Sequence, residues 1–418
     1  MLTKHKRDDI IVLYRMSYKK QKERGIESMN IGENPYVSDV ASHIKGSRTR
    51  YYTELAAQYD DAISFAIGEP DFTTPQHIID VAAQKLIEGE THYAPNPGIY
   101  VLRQAIADEY NRRYPMQHFT GDNVVITSGT QEANLLAMMM YFNPGDEVIV
   151  SAPTYISYIP QLRMVHVKPN FVRTDEQHGY ELQADAVEAA ITKKTKAILL
   201  NSPCNPTGTV LSKNTLLDLI DIARRYEIGI ISDETYSDIV YEPFTSILDL
   251  MEMDEHLIYC SGFSKSYAMT GWRLGYAIAT KEMALAIRYL HENNSSCSNT
   301  ALQYGALEAI RNGAEDVERM RLEYKKRRDL ICHMLEKIDQ FSFVVPKGAF
   351  YVWVDIRKTG MSSIEFTEKL LEQTHTVVAP GIAFGDAGEG FIRLSYATSE
   401  TKIREGMNRI ISFVNSLG

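Results

Sequence analysis

Between residues 124 and 259 short apolar runs recur: VVIT (124–127), EVIV (147–150), AILL (197–200), IGII (228–231) and HLIY (256–259). Each is apolar and short, and several are rich in β-branched residues, which reads as a buried strand. Between several of them lie stretches with apolar residues at helical spacing, such as QEANLLAMMMYF (131–142) and KNTLLDLIDIARRY (213–226). A strand that returns parallel to its neighbour needs a crossover, and an intervening helix supplies one. The alternation therefore predicts an α/β fold, a mostly parallel central sheet with helices on both faces. In such open sheets ligands bind outside the carboxyl ends of the strands. Four of those ends are polar, ITSGT, NSPCNPTG, ISDETY and YCSGFSK, and they are expected to converge on one site.

The pattern changes near residue 300. A long charged amphipathic helix at 318–338 is followed by two strand-like runs in FSFVVPKGAFYVWVDI (341–356), broken at Pro346–Lys347–Gly348. A helix at 363–372, the loop APGIAFGDAGEG and the strand FIRLSYA complete a smaller α+β unit. The expected division is an extension at 1–34, a segment at 35–62 that joins the smaller domain, a large domain at 63–299 and a small C-terminal domain at 300–418. Met29 is a second candidate start.

Charge and cysteine usage narrow the class. A net charge of −10 lacks the positive footprint of nucleic-acid binding. Four cysteines without a CxxC pair or an HExxH element predict neither a disulfide framework nor a metal site. No segment has the roughly 20 continuous apolar residues of a membrane span. The basic start MLTKHKRDD lacks an apolar core and a cleavage site, so a cytoplasmic protein is expected.

The polar strand ends hold the chemistry. In ITSGTQEANLL a helix begins directly after Ser128–Gly129–Thr130. A helix start exposes unpaired N–H groups and the positive end of its dipole, which suits a phosphate or simply a capped turn. Asp233 follows an apolar strand and needs a hydrogen-bonded or cationic partner if buried; Tyr236 lies just beyond. Asn205 precedes Pro206 in a turn-rich stretch that decides nothing alone. Lys265 and Arg273 stand in SGFSKSYAMTGWRLGY without charged neighbours. Desolvation and a nearby cation would lower the lysine's pKa and make it a nucleophile for carbonyls, and an arginine fork suits phosphate. Pyridoxal phosphate asks for these groups together: a Schiff-base lysine, an acidic partner for its ring nitrogen and a phosphate cup.

The ordered set GEPDF (68–72), YAPNPG followed by LR (93–103), TSGTQEA (127–133), NPTG (205–208), SDETY (232–236), SKSYAMTGWRLGY (264–276) and GEGFIRLSY (388–396) resembles the fold-type I pyridoxal-phosphate aminotransferases, class I/II, over roughly residues 35–415. The resemblance implies roles. Lys265 matches the Schiff-base lysine and catalytic proton shuttle, and Asp233 the partner of the ring nitrogen. Asn205 and Tyr236 match the pair that bonds the cofactor's 3′-oxygen, and Tyr155 an aromatic side chain stacked on the ring. Gly129, Thr130, Ser264 and Arg273 match the phosphate cup, with Gln131 as a further cofactor contact. Many relatives carry a serine at the position of Gly262, and whether Ser261 replaces it is an open question. Arg393, with Gly68 and Asn205, matches the substrate-carboxylate site. Tyr93 matches a residue that reaches the phosphate of a neighbouring subunit, and Ser298 is a second cross-subunit candidate; both imply a homodimer with active sites at the interface. The implied reaction moves an amino group from an L-amino acid to a 2-oxo acid. The alternatives are a C–S β-lyase of the same fold and a regulator built on that fold, which would need an added DNA-binding domain.

Overall fold

The computed structural model describes residues 34–417. The expected extension, apart from Asn34, and the candidate start Met29 lie outside the described residues. The chain enters through helices Asp39–His43 and Arg48–Ala56 and a short strand β1 (Ile63–Ser64). Seven strands then form one sheet: β2 (Val124–Thr127), β3 (Glu147–Ala152), β4 (Lys168–Arg173), β5 (Thr195–Asn201), β6 (Gly229–Asp233), β7 (Leu257–Gly262) and β8 (Gly275–Ile278). Their spatial order is β2-β8-β7-β6-β5-β3-β4. Only β8 breaks the parallel pattern, running antiparallel to both β2 and β7.

Side chains along these strands part alternately to two cores, as the period of two requires. Val124, Ile126, Ile198, Ile230 and Tyr259 pack on one face with helices Tyr100–Arg113 and Lys213–Arg225. Val125, Leu199, Ile231 and Ile258 pack on the other with helices Thr130–Tyr141 and Lys281–Ser295. Burial on both faces explains why the strands read as continuous apolar runs. Two strands escape that pattern. At the sheet edge β4 (KPNFVR) is mostly solvated, and its Lys168 and Pro169 suit an edge. Strand β8 (GYAI) is short and opens on a glycine.

Beyond the long helix Ala314–Leu335 lie β9 (Ser342–Phe343), β10 (Tyr351–Asp355), β11 (Thr376–Val377), β12 (Ala379–Pro380) and β13 (Phe391–Ser395). Four of them form an antiparallel sheet in the order β12-β13-β10-β9, and β11 pairs in parallel with β1. This ties the chain's entry segment to its last third. Helices Ser363–Thr374 and Glu400–Asn415 close a further core over the second sheet. The expected loop at 379–390 contains β12 and two single-turn 3₁₀ helices. Among the described residues no helix is long and apolar enough to cross a membrane.

One glycine lets the sheet and the site meet. A Cβ on Gly275 would lie 2.4 Å from Thr130 N and 2.5 Å from the Gly129 carbonyl carbon. Those atoms are backbone and cannot rotate away. Gly275→Ala is expected to push the helix start off β8 and lower the unfolding free energy by about 1–3 kcal/mol, read as a lower denaturant midpoint. An unchanged midpoint would show that the helix start shifts freely.

Candidate active site

The ends of β2, β5, β6 and β7 open into one cavity of about 990 Å³, walled on the far side by helix Arg48–Ala56 and by Tyr351 and Arg393 of the second sheet. Lys265, Asp233, Tyr236, Asn205, Ser264 and Arg273 all line it, as do Thr130, Gln131, Tyr155, Gly68 and Arg393. Gly129 lies beneath it, against the Arg273 guanidinium. Tyr93 is not brought to this cavity within the chain: its side chain is 90 % exposed.

Asp233 ends β6 and is 4 % exposed. Each of its oxygens has two donors. Asn134 Nδ2 and the Tyr158 hydroxyl donate to Oδ2 at 2.6 and 2.7 Å, and Thr235 N and Oγ1 donate to Oδ1 at 3.1 and 2.7 Å. Such a carboxylate is buried, charged and fixed in direction. Lys265 lies three residues past β7, and its Nζ donates to the Gly68 carbonyl at 2.8 Å. Burial brings its amine down from the ordinary lysine range to about 8, with Arg393 and Arg273 acting in the same direction and Glu69 against it.

Arg273 adopts the left-handed conformation, with φ 55° and ψ 51°. Its guanidinium donates to the carbonyls of Thr270 at 3.0 Å and Ser128 at 3.1 Å. It therefore overhangs the start of helix Thr130–Tyr141. Gly129 caps that helix at φ 89° without a side-chain hydrogen bond, so no side chain intervenes between helix start and cation.

Arg393 is the most deeply buried cation here, 3 % exposed. It donates to Asn205 Oδ1 at 2.8 Å and to the Ala66 carbonyl, and its guanidinium lies over the rings of Tyr351 and Phe384 at 4.3 and 4.8 Å. No carboxylate pairs with it among the described residues. Beside it the hydroxyls of Tyr236 and Tyr351 share a hydrogen bond of 2.7 Å.

Do these residues fit pyridoxal phosphate? Three buried polar atoms on cavity-lining residues find no partner among the described residues: Thr130 Oγ1, Asn134 Oδ1 and Arg393 Nε. An unpaired buried polar atom is costly, and the first sits at the helix start under Arg273, where an anion is favoured. An aromatic ring, a carboxylate and a partly desolvated amine complete the donor set, so the residues fit. Among the described residues no group of His, Cys, Asp and Glu is arranged to hold a metal.

The open question of Ser261 at the cup turns on where its side chain lies. Ser261 does not line the cavity; its hydroxyl donates to the Glu234 carbonyl at 3.4 Å. Neighbouring residues of a strand face opposite ways, so Ser261 and Gly262 cannot both face the cup. A Cβ at Gly262 would lie 2.5 Å from Thr130 Oγ1, so the threonine hydroxyl already fills the space a serine there would need. Ser298 is buried and lies away from the cavity, and its hydroxyl has no partner among the described residues.

Sequence reasoning passed over Asn134, Tyr158, Thr235 and Tyr351. Asn134 had a signal: it stands one turn after Thr130 on the buried face of a helix, where a polar residue needs a reason. Tyr351 had none, because in GAFYVWVDI it reads as a core position.

Comparison with known proteins places the chain in a family. The family "Aminotransferase class I and II" matches residues 60–410. An aspartate aminotransferase of Pyrococcus abyssi is 39 % identical over 378 residues, 90 % of this chain and 97 % of that protein. An aromatic-amino-acid aminotransferase of Thermococcus litoralis is 39 % identical over the same shares of the two chains. The solved aspartate aminotransferase of Thermotoga maritima is 38 % identical, with a TM-score of 0.86 over 91 % of this chain and 100 % of that one. Relatives at 36–40 % identity carry aminotransferase names, which does not favour the lyase alternative. With the match running over residues 60–410 and the fold shared along the whole Thermotoga enzyme, the chain belongs to the class I and II aminotransferases, pyridoxal-phosphate-dependent transaminases of fold type I.

Proposed function

We propose that the cavity carries out the transfer with Lys265 as the reacting amine, Asp233 as the partner of the cofactor's ring nitrogen and Arg393 as the anchor of the substrate α-carboxylate. One observation supports this above the others: Arg393 is a buried cation without an anionic partner among the described residues, facing the same cavity as a partly buried lysine. A buried charge needs compensation, and the carboxylate shared by amino acids and 2-oxo acids supplies it.

When bound, pyridoxal phosphate supplies a ring that draws off the electron pair left at the amino acid's Cα. The protein's part is orientation and proton movement. Arg273, Thr130, Ser264 and the helix start hold the phosphate, with Gln131 and Gly129 at the same turn. Asp233, fixed by its four donors, keeps the ring nitrogen protonated. Asn205 and Tyr236 take the 3′-oxygen, and Tyr155 covers the ring. Arg393, with Gly68 and Asn205 beside it, sets the direction of the Cα–H bond. Lys265 Nζ then takes that proton as a general base and returns one as a general acid.

The pKa of Lys265 gives this a pH signature. A neutral amine is the nucleophile, and below about pH 8 its fraction falls tenfold per unit. The rate at which cofactor-free protein takes up pyridoxal phosphate should rise with its midpoint near pH 8 and level off about one unit above it, and borohydride should then fix the label on Lys265. A rate still climbing at pH 10, or a label on another lysine, contradicts the assignment.

Arg393→Ala should raise KM for the amino donor about a hundredfold, the loss of about 3 kcal/mol expected for a paired charge-assisted contact, with the cofactor retained. Loss of cofactor instead would assign Arg393 to cofactor binding.

The division into an entry segment at 35–62, a large cofactor domain at 63–299 and a small domain at 300–418 is part of the same reading. So is a homodimer. Large apolar side chains at Leu86, Ile87, Tyr93, Tyr100 and Val101 stand exposed along one stretch of chain, as a covered face would. Tyr93 then reaches the partner's phosphate. Tyr93→Phe should leave the sedimenting species dimeric and weaken cofactor binding about tenfold, the scale of one charge-assisted hydrogen bond; unchanged binding removes Tyr93 from the site. The four cysteines are all unpaired, which supports a reducing compartment and a cytoplasmic, amino-acid-metabolising enzyme.

A further inference from the structure

Glu132 does not touch the cavity, yet one carboxylate here gathers four donors. Ser128 N donates to Oε2 at 2.5 Å, while Asn294 Nδ2, Ser295 Oγ and His291 Nδ1 donate to Oε1 at 2.6, 2.8 and 3.2 Å. An ionised carboxylate only accepts, so Nδ1 of His291 carries the proton. Burial works against the charge, but these hydrogen bonds outweigh it and hold Glu132 down at about 2.

Ser128 is the link that matters. Its N–H is held by Glu132, and its carbonyl accepts from Arg273 Nη2 at 3.1 Å. Both sides of one residue are thus pinned, directly before Gly129 and the helix start. The far end of the carboxylate grips the last turn of helix Lys281–Ser295.

We propose that Glu132 is a positioning residue for cofactor binding: it fixes Ser128, and through the Ser128 carbonyl it aims the Arg273 guanidinium at the phosphate. This rests on the reading above in which Arg273 clamps the phosphate. Without the carboxylate the Ser128 amide loses its partner, the residue turns, and Arg273 loses one of the two carbonyls that hold it in place. A role confined to tying two helices together would act equally whether or not Arg273 is present.

Glu132→Gln is the decisive change because it keeps size and one acceptor oxygen. That oxygen can serve Ser128 or the Asn294–Ser295–His291 side, not both. The experiment measures cofactor dissociation from the holoenzyme by equilibrium dialysis, with the ³¹P resonance of the bound cofactor as a second readout, in wild-type and Arg273→Ala backgrounds. Glu132→Gln is expected to weaken binding about tenfold, the scale of one charge-assisted hydrogen bond, and to shift the resonance. In the Arg273→Ala background the same change should add less than about twofold, since coupled residues are non-additive. An equal effect in both backgrounds, or wild-type affinity in Glu132→Gln, overturns the proposal. Wild-type affinity in Arg273→Ala alone overturns the phosphate-clamp reading, and the Glu132 proposal falls with it.

Discussion

Asp233 and Arg393 are both almost completely buried, and neither is paired with an opposite charge among the described residues. Burying an ion costs several kcal/mol unless hydrogen bonds replace its water. The protein meets this cost differently at the two ends. Asp233 receives four neutral donors from three elements, so its charge is satisfied in place. Arg393 receives two acceptors and two aromatic faces, and its Nε is left over. Asp233 is thus hydrogen-bonded at both oxygens, whereas Arg393 keeps one N–H without an acceptor among the described residues.

The sheet makes the arrangement possible. Parallel strands bring their carboxyl ends to one edge, and the antiparallel β8 returns the chain so that Arg273 precedes it at that same edge. Glycines at 262 and 275 let the helix Thr130–Tyr141 seat its start against β7 and β8. Cation, helix start and threonine hydroxyl are then held by backbone packing rather than by flexible side chains. Preorganisation of this kind is what an enzyme needs from its scaffold, because it removes reorganisation from the reaction itself.

The second sheet closes the other side. Arg393 on β13 stands opposite Trp353 in register, and Tyr351 on β10 meets Tyr236 from the first sheet's loops. The Gly68 carbonyl, just past β1, accepts from Lys265. Arg393, Lys265 and the entry segment are therefore coupled through short polar contacts, so a shift of either sheet changes the spacing between guanidinium and amine.

Much of this was legible in the residues alone. Short continuous apolar runs located β2, β3, β5, β6 and β7, and apolar residues at helical spacing the helices between several of them, because strands buried on both faces and packed helix faces must be apolar. The motif residues at strand ends were visible because polar side chains there have no structural need. Strand β4 was hidden by its solvated edge position and β8 by its length and glycine; Asn134 and Tyr351 sit inside apolar patterns, while Tyr158 and Thr235 stand in polar stretches whose roles went to Tyr155, Asp233 and Tyr236. The sequence by itself determined which side chains are chemically able and where the chain turns. Only the tertiary structure decided their pairing: Arg393 with Asn205, 188 residues away, and Glu132 with His291, 159 residues away. It also decided that Thr130, not Ser261, fills the space beside Gly262. Local pattern encodes burial and conformation, whereas contacts across such separations depend on how the sheets and helices pack.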